Sequence, residues 1–297
     1  MTSADSNYEV IVIGGGIAGL VTANRAAELG KRTAVLEKGT EDRYLCSTRY
    51  TGGTFHICLT DLLSGEDKLA RLIETTTRGF ARKDLAAAIA KDGLRLVRWL
   101  QGEGIKFVNL GHYHSFVLAP PSRTGPGLDW EGRGGDVLLR TLEANLVKRN
   151  SKIQRGTRAL ALDTSTPGWI KVEAEQAGVK TVFNAKAVVI ADGGFPANIE
   201  LVRKHITQVP EKILQRNAMT AIGDGLRMAL TVGAATVGMA SRRSAPAPFV
   251  TASGVGNTGG SSLAGMSRIT ESSTYCSCGC TRRGSCPSPC GVRSMGT

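Results

Sequence analysis

The sequence predicts an α/β fold in which a parallel sheet is flanked by helices. Three features indicate this class. An apolar strand at Val10–Ile13 runs into a glycine-rich turn and a helix, strands alternate with helices along the chain, and a second apolar run at Ala187–Ala191 ends in glycines. Short continuous apolar runs are typical of strands buried on both faces of a parallel sheet. A helix between two such strands supplies the crossover that parallel pairing requires.

The turn after the first strand has the spacing of a dinucleotide-binding motif. It reads Gly14-x-Gly16-x-x-Gly19, and the helix that it opens ends at Gly30. In this motif the first glycine permits the tight turn, the second lets a pyrophosphate approach the backbone, and the third lets helix and strand pack closely. Free N–H groups at the helix N-terminus then receive the phosphates. The plain alternative is a glycine-rich turn of an ordinary α/β protein.

The second strand supports the dinucleotide interpretation. Thr33–Leu36 delivers Glu37 eighteen residues after Gly19, where a carboxylate can accept hydrogen bonds from the ribose hydroxyls of adenosine. The residues of the motif, GGGIAGL followed by VLEK, resemble the flavin-binding version of the motif more than the version found in NAD-dependent dehydrogenases. We therefore expect FAD as the cofactor.

Length and composition limit the domain count and the kinds of ligand that the chain can bind. Its 297 residues allow one large or two modest domains. Its net charge of +12 suits anionic ligands. No basic block is interleaved with aromatic residues, so we expect no nucleic-acid partner. No apolar run is long enough to cross a bilayer, and the polar start MTSADSN does not resemble a signal peptide. We expect no membrane insertion and a cytoplasmic location.

The middle of the chain predicts the remaining elements. A loop rich in hydroxyls and glycines follows at 41–53, and a loop rich in proline and glycine lies at 119–135. Periodicity predicts helices over 67–80, 82–100 and 136–149, and strands over 106–108, 155–162, 169–175, 180–183 and 187–191. This order predicts a parallel sheet that is interrupted by a β-meander and then resumed.

The last part of the chain differs in composition, so we place a domain boundary between 1–240 and 241–297. The tail is rich in Gly, Ser, Arg and Cys, and five of the seven cysteines lie in CSCGCTRRGSCPSPC. Thiolates bind zinc, but these spacings lack paired C-x2-C knuckles and a nearby His. We expect a disordered tail that arises from a truncated or out-of-frame reading, with a zinc- or partner-binding module as the alternative and no metal site elsewhere.

Several stretches together resemble the flavoprotein family of succinate dehydrogenases, fumarate reductases and their soluble relatives. They are VIVIGGGIAGL…VLEK, STRYTGG, GRGGDVLLRTLEANL, RGTRALAL, AVVIADGGF and IGDGLRMALTVGA, in this order across residues 8–238. Within the family, RYTGG and RGGDVLLRTLE are most similar in style to the tricarballylate dehydrogenases and to the related flavoprotein of cobalamin biosynthesis. The resemblance implies a Rossmann-like FAD-binding domain with an incomplete cap domain.

The resemblance also implies roles for residues near the glycine turn. Backbone N–H groups of Ala18 and Gly19 are expected to meet the pyrophosphate, and Glu37 is expected to bind the adenosine ribose. Ser47 and Thr48 match a pair that reaches the phosphate and the flavin, with an ambiguity of one residue in register.

More distant stretches complete the implied site. Gly52 and Gly53 are expected to let the backbone approach the isoalloxazine, Ala159 to offer backbone hydrogen bonds to adenine, and Asp224 to approach the cofactor from the far side. Without the resemblance, Ala159 and Asp224 are a plain strand alanine and a turn aspartate before a helix. The predicted cofactor set is Gly14, Gly16, Ala18, Gly19, Glu37, Lys38, Ser47, Thr48, Gly52, Gly53, Ala159 and Asp224.

The chain also departs from the family pattern. Membrane-bound members tether FAD through a His ahead of the glycine pair, but no His occurs within residues 41–53, so we expect non-covalent FAD. Asp192 stands where small residues are usual. The substrate-side His and the proton-donating Arg of the family belong beyond the GDG helix, where this chain has its atypical tail, so the catalytic residues stay unknown. His112, Tyr113, His114 and Arg123 share a loop that either borders a substrate pocket or is exposed to solvent.

These observations lead to two main functional hypotheses. The first is an FAD-dependent oxidoreductase that transfers a hydride between flavin N5 and a carbon–carbon bond next to a carboxylate, in a succinate-, fumarate- or tricarballylate-like substrate. We expect its activity to be impaired by the loss of the C-terminal catalytic part. A small carboxylate and an electron donor or acceptor protein are its expected partners. The second is a non-catalytic FAD-binding fragment.

Overall fold

The computed structural model describes residues 6–119, 132–215 and 217–236. Its strands are β1 Asn7–Ile13, β2 Thr33–Leu36, β3 Phe107–Val108, β4 Val117–Leu118, β5 Lys152–Gln154, β6 Thr157–Asp163, β7 Ile170–Gln176 and β8 Val179–Ile190. Its helices are α1 Ile17–Glu28, α2 Glu66–Thr76, α3 Lys83–Gly102, α4 Gly134–Lys148, α5 Ile199–His205 and α6 Asp224–Thr231.

The main sheet has six strands in the order β5-β2-β1-β8-β7-β6. The pairs β5–β2, β2–β1 and β1–β8 are parallel, whereas β8–β7 and β7–β6 are antiparallel. Strands β3 and β4 form a separate antiparallel pair. The predicted α/β class, with a parallel sheet and an inserted β-meander, is therefore confirmed.

One long strand joins the two parts of the sheet. Strand β8 pairs with β7 from Val179 to Ala185 and with β1 from Asn184 to Ile190. The prediction of two separate strands at 180–183 and 187–191 is wrong, because the backbone stays extended and paired through Asn184, Ala185 and Lys186. At that junction the Asn184 amide donates to the Asn7 side-chain oxygen at 2.8 Å, which keeps the polar side chain satisfied within the sheet.

The sheet separates two hydrophobic clusters, as expected for strands buried on both faces. Along β1, Val12 belongs to the cluster that also contains residues of α1, α3 and α4, while Ile11 belongs to the cluster with Phe183 and Met228. The alternation follows from the two-residue period of a strand. Because β1 and β8 are parallel neighbours, the glycine turn at the end of β1 and the end of β8 lie side by side at one edge of the core.

Helix ends follow the glycines that the sequence contains. Helix α1 ends at Glu28 with Leu29 as its C-cap, and Gly30 follows with a φ of +76°, at the position predicted for the cap. Helix α2 stops at Thr76 rather than continuing to 80, because Arg78 and Gly79 both have positive φ. Strand β5 was not predicted as a separate element, since it has only three residues and turns at Gly156 into β6.

Candidate functional site

The glycine turn between β1 and α1 is shaped by close backbone contacts. Gly14 has a φ of +103°, and a Cβ there would lie 2.5 Å from the carbonyl oxygen of Ala191. A Cβ at Gly19 would lie 1.8 Å from the Gly14 carbonyl oxygen. Both glycines are therefore required by the packing of the protein itself, as their predicted roles demand.

Gly16 differs from its neighbours because the space beside it is open. It is the N-cap of α1, and within the described residues a Cβ there would meet only the Thr48 hydroxyl, at 3.5 Å. In the same part of the chain, the N–H groups of Ala18 and Gly19 have no acceptor, and the first turn of α1 has no acidic residue. This helix N-terminus keeps its donors and its positive dipole end, so it fits a pyrophosphate.

Glu37 connects the end of β2 to the glycine turn. Its carboxylate is 6% exposed and accepts hydrogen bonds from the N–H groups of Gly15 at 2.8 Å and Gly39 at 2.7 Å. Burial raises the pKa of Glu37, and the two amide donors counteract that rise. Each carboxylate oxygen has a second lone pair, so Glu37 can fix the turn and still accept from ribose hydroxyls.

Residues 41–53 lie directly on this turn. The Tyr44 hydroxyl donates to the Gly15 carbonyl oxygen at 2.7 Å, and the Ile17 N–H donates to the Thr48 hydroxyl oxygen at 3.1 Å. Burial raises the pKa of Tyr44, which keeps the phenol protonated as a donor. Ser47, the other residue of the predicted pair, is exposed. The loop thus brings Thr48 beside Gly16, and the contacts of Ser47 and Thr48 with the phosphate and flavin stay a prediction.

A buried charge network fixes the loop to α4. The Arg49 side chain is fully buried, donates from Nε to the Tyr44 carbonyl oxygen at 2.8 Å, and forms an ion pair with the buried Asp136. Its second terminal nitrogen lies 3.7 Å from Glu143, which accepts from Arg155 at 2.5 Å. The sequence analysis did not include these residues in the site. Arg49 and Asp136 are far apart in the chain, and no short sequence motif indicates that they form a buried ion pair.

The glycines at the start of α4 were the available signal for this contact. A Cβ at Gly135 would lie 2.0 Å from the Thr48 carbonyl oxygen, and a Cβ at Gly134 would lie 2.5 Å from the Leu118 Cβ. Glycine is a poor helix former, so two consecutive glycines at the start of a helix indicate that other atoms approach the backbone closely there. The motif RGGD therefore marks the position where α4 meets the loop.

The predicted isoalloxazine segment contains one exposed and one structural glycine. Gly52 is exposed, whereas Gly53 is buried with a φ of +80°. The Leu118 N–H donates to the Gly53 carbonyl oxygen at 2.8 Å, which attaches the segment to β4. Gly53 is therefore required by the fold, and Gly52 leaves its backbone accessible.

Three residues of the predicted set meet around α6. Asp224, the first residue of α6, is 4% exposed and accepts two hydrogen bonds from Arg158, at 2.8 and 3.0 Å. Arg227 donates to the same carboxylate at 2.7 Å, and Lys38 lies 3.7 Å from it. Burial acts to raise the pKa of Asp224, but the hydrogen bonds from Arg158 and Arg227 outweigh it and lower that pKa. Ala159 follows Arg158 on the edge strand β6, so Lys38, Ala159 and Asp224 lie in one neighbourhood.

The unusual Asp192 has a structural role. Its carboxylate accepts the N–H of Gly225 at 2.7 Å, the second residue of α6. The N-cap of that helix is Gly223, which has no side chain to serve as a cap. Asp192 supplies the missing cap from the end of β8, and burial raises the pKa of its carboxylate.

Other predicted features are only partly covered by the described residues. Burial raises the pKa of Cys46 to about 11, so this loop thiol stays protonated near neutral pH. Arg123 and the cysteine-rich tail lie outside the described residues. Among the helices that the structure does describe, none is long and apolar enough to span a bilayer. The cytoplasmic location stays a prediction.

Comparison with known proteins places this geometry in context. A sequence profile for a family described as FAD binding domain matches residues 9–261, which extends beyond the predicted boundary at 240. The vinyl phenol reductase of Lactiplantibacillus plantarum is 25% identical over 78% of this chain and 47% of its own length. The urocanate reductase of Eggerthella lenta is 28% identical over 79% of this chain and 39% of its own length.

A third relative is the NADH:fumarate oxidoreductase of Klebsiella pneumoniae, which is 25% identical over 80% of this chain and 26% of its own length. The chain therefore spans less than half the length of these curated relatives. Among solved structures, a 3-ketosteroid-Δ4-(5α)-dehydrogenase from Rhodococcus jostii matches with a TM-score of 0.64 at 20% identity, over 79% of this chain and 56% of the other. A flavocytochrome c3 fumarate reductase matches with a TM-score of 0.63 at 20% identity, over 78% and 41%. These two likenesses concern the fold.

Proposed function

This chain belongs to the FAD binding domain family of the succinate dehydrogenase and fumarate reductase flavoproteins, and from that premise we propose that it is an FAD-dependent oxidoreductase. The proposed reaction is the reduction, or in reverse the formation, of a carbon–carbon double bond beside a carboxylate. When bound, FAD supplies the hydride chemistry at N5. A small unsaturated acid such as fumarate, urocanate or a tricarballylate-like compound is the proposed substrate, and a separate electron donor or acceptor serves the flavin.

Residues at the N-terminus of α1, in the loop at 41–53 and near α6 would bind the cofactor. The helix N-terminus at Gly16, Ala18 and Gly19 would donate to the pyrophosphate, while Glu37 would accept from the ribose hydroxyls. Ser47 and Thr48 would contact the phosphate and flavin, Gly52 and Gly53 would allow the ring to approach, and Lys38, Ala159 and Asp224 would border the cofactor from the α6 side. Attachment would be non-covalent, since residues 41–53 contain no His and the Cys46 thiol stays protonated.

One observation supports this proposal above the others, namely the open helix N-terminus at Gly16. The other two glycines of the motif, Gly14 and Gly19, are closed by protein backbone. Gly16 instead faces free space, with unpaired amide donors beside it, within the described residues. The first N–H groups of every helix lack an intrahelical acceptor, and in α1 neither a side-chain cap at Gly16 nor an acidic residue of the first turn takes them up. The open position therefore matches an anionic ligand.

The visible spectrum of the purified 297-residue protein tests the proposal. We expect the absorption bands of bound flavin, release of intact FAD on acid precipitation, and oxidation of reduced methyl viologen when fumarate is added. Flavin that stays with the precipitate would contradict non-covalent attachment, and a protein that cannot bind FAD would overturn the proposal.

A second candidate is an FAD-binding protein without turnover of its own. It is favoured by the residues assigned above, since within the described part of the chain all of them are assigned to the cofactor and none to the substrate. Bound FAD without viologen oxidation, tested with fumarate, urocanate and tricarballylate, would identify this candidate.

A further inference from the structure

Three of the four histidines lie on two adjoining segments next to Gly53. His56 belongs to the segment that follows Gly53, and His112 and His114 precede β4. The Phe55 N–H donates to the Phe116 carbonyl oxygen at 2.8 Å, so backbone hydrogen bonds join the two segments. The fourth histidine, His205, ends α5.

Polar side chains of these segments contact one another. The Thr54 hydroxyl lies 3.3 Å from the His114 Nδ1. The Tyr113 ring lies 4.0 Å from the His114 ring and 5.3 Å from the His56 ring, measured between centroids. Between Thr54 and His56, Phe55 packs against Phe107 in the core. The alternation of an extended segment therefore directs Thr54 and His56 away from Phe55.

The hydrogen-bonding atoms of the group are suited to an anionic ligand. The Leu59 N–H donates to the His56 Nδ1 at 3.2 Å, which leaves the ring proton on Nε2 as a donor. Burial, with a smaller contribution from His114, lowers the pKa of His56 and keeps this ring neutral. Within the described part of the chain, the Nε2 atoms of His56 and His114 and the Tyr113 hydroxyl have no hydrogen-bond partner, although all three side chains are half-buried. Half-buried donors without partners need a ligand or water to satisfy them.

Two tight turns position the group. Cys58 and Leu59, with φ values of +48° and +54°, lie between Ile57 and Thr60, whose backbones exchange hydrogen bonds of 2.8 and 3.0 Å. His112, with a φ of +49°, lies in a second turn, in which the His114 N–H donates to the Gly111 carbonyl oxygen at 2.9 Å. Positive φ values are usual in tight turns of this kind. The turns fix the backbone on either side of His56 and His114.

We propose that Thr54, His56, Tyr113 and His114 form the face that binds the carboxylate of a small unsaturated acid. The face directly follows Gly52 and Gly53, so a bound acid would lie beside the segment to which the cofactor ring is assigned. This inference rests on the proposed function, because the acid is the substrate proposed above. The Tyr113 hydroxyl and the His56 Nε2–H are the donors to its carboxylate oxygens, and Thr54 holds the His114 ring in place.

Imidazole proton resonances provide a direct test, since a chain with four histidines gives a simple spectrum. In the FAD-loaded protein, added fumarate should shift the resonances of His56 and His114 and leave His205 unmoved. Flavin absorbance recorded on the same sample shows whether FAD is bound and whether fumarate perturbs it. If FAD does not bind, the proposed function fails. If FAD binds and fumarate leaves His56 and His114 unmoved, the inference is overturned.

Matched variants complete the test. Tyr113→Phe and His56→Asn, which lacks the Nε2 donor, should each raise the dissociation constant of fumarate about fivefold to tenfold, as expected for one lost hydrogen bond to a charged group. The affinity for FAD should stay within about twofold of the parent protein, and His205→Gln should change neither constant. Unchanged fumarate binding in both site variants would show that the carboxylate binds elsewhere.

Discussion

The two segments that carry most of the predicted cofactor residues are held in place by opposite means. The turn at Gly14–Gly19 is fixed by backbone contacts too short for any side chain, at 1.8 and 2.5 Å from the Cβ positions of Gly19 and Gly14. The loop at 41–53 is fixed by side chains, above all by a fully buried guanidinium between two carboxylates. The turn depends on glycines that have no side chain, and the loop depends on a buried ion pair. The two segments should therefore respond differently to mutation.

Tyr44 is where the two segments meet. Its hydroxyl donates to the turn at Gly15, while its carbonyl oxygen accepts from Arg49. Hydrogen bonds and an ion pair therefore connect the turn, through Tyr44 and Arg49 of the loop, to Asp136 of α4. Substitutions on either side of Tyr44 test whether this support matters for the cofactor.

The largest expected effect is on the open side of the turn. Gly16→Val should weaken FAD binding more than about a hundredfold, because the side chain fills the space of the pyrophosphate and removes at least two charge-assisted hydrogen bonds. The apo-protein should still fold, since a Cβ there meets only the Thr48 hydroxyl at 3.5 Å. Gly19→Val is the matched comparison and should fail to fold. FAD titration together with thermal unfolding distinguishes the two, and stoichiometric FAD in Gly16→Val would refute the pyrophosphate site.

The second effect is on the loop side. Arg49→Ala should lower the free energy of unfolding by about 3–5 kcal/mol, because it leaves the buried Asp136 without its principal partner. Arg25→Ala removes an exposed ion pair with Glu28 and should cost less than about 1 kcal/mol. Urea unfolding of both variants measures the difference. Equal, small losses would show that the network does not fix the loop.

These first two predictions also show what the sequence reveals and what it does not. Strand β2 and Glu37, the glycine turn and the left-handed Gly30 were predictable, because each depends on residues only a few positions apart. The pairing of Arg49 with Asp136 was not, since the two are 87 residues apart and each charge alone indicates exposure. The continuity of strand β8 was not predictable either, since its middle is held by pairing with two distant strands, β7 and β1, which no local pattern encodes.

A third prediction concerns Glu37. Glu37→Ala should weaken FAD binding about tenfold to a hundredfold, as expected for the loss of about 1.5–3 kcal/mol of charge-assisted hydrogen bonds. Part of the loss reflects the turn itself, because the N–H groups of Gly15 and Gly39 also lose their acceptor. Glu41→Gln, at an exposed position, is the control. FAD affinity that is unchanged in calorimetric titration would exclude Glu37 from the ribose site.

A smaller effect is expected where the two segments meet. Tyr44→Phe removes only the hydroxyl that donates to Gly15, so FAD affinity should fall about fivefold, the equivalent of about 1 kcal/mol. Tyr8→Phe removes a part-buried hydroxyl that accepts from Gln154 and does not bond to the glycine turn. That control should leave FAD affinity unchanged. Similar affinities in the two variants would show that Tyr44 gives the turn no support.

The smallest effect is expected at the ion pairs around Asp224, whose basic partners are partly exposed. Because its folded pKa is lowered below the ordinary value of 3.8, the ionised carboxylate stabilises the fold above about pH 4, and this stability is lost as the pH falls through the folded pKa. Asp224→Asn should therefore cost about 1 kcal/mol at pH 7 and progressively less towards pH 3. Unfolding free energies of both proteins across this range measure the gap, and a gap that widens on acidification would contradict the assignment.

The central claim is that FAD binds at the N-terminus of α1, and amide chemical shifts test it most directly. In protein labelled with 15N-alanine and 15N-glycine, FAD should shift the amide resonances of Ala18, Gly16 and Gly19 strongly. Ala177, in the turn between β7 and β8, should not respond. Saturable FAD binding that leaves the resonances at the helix N-terminus unmoved would contradict the account.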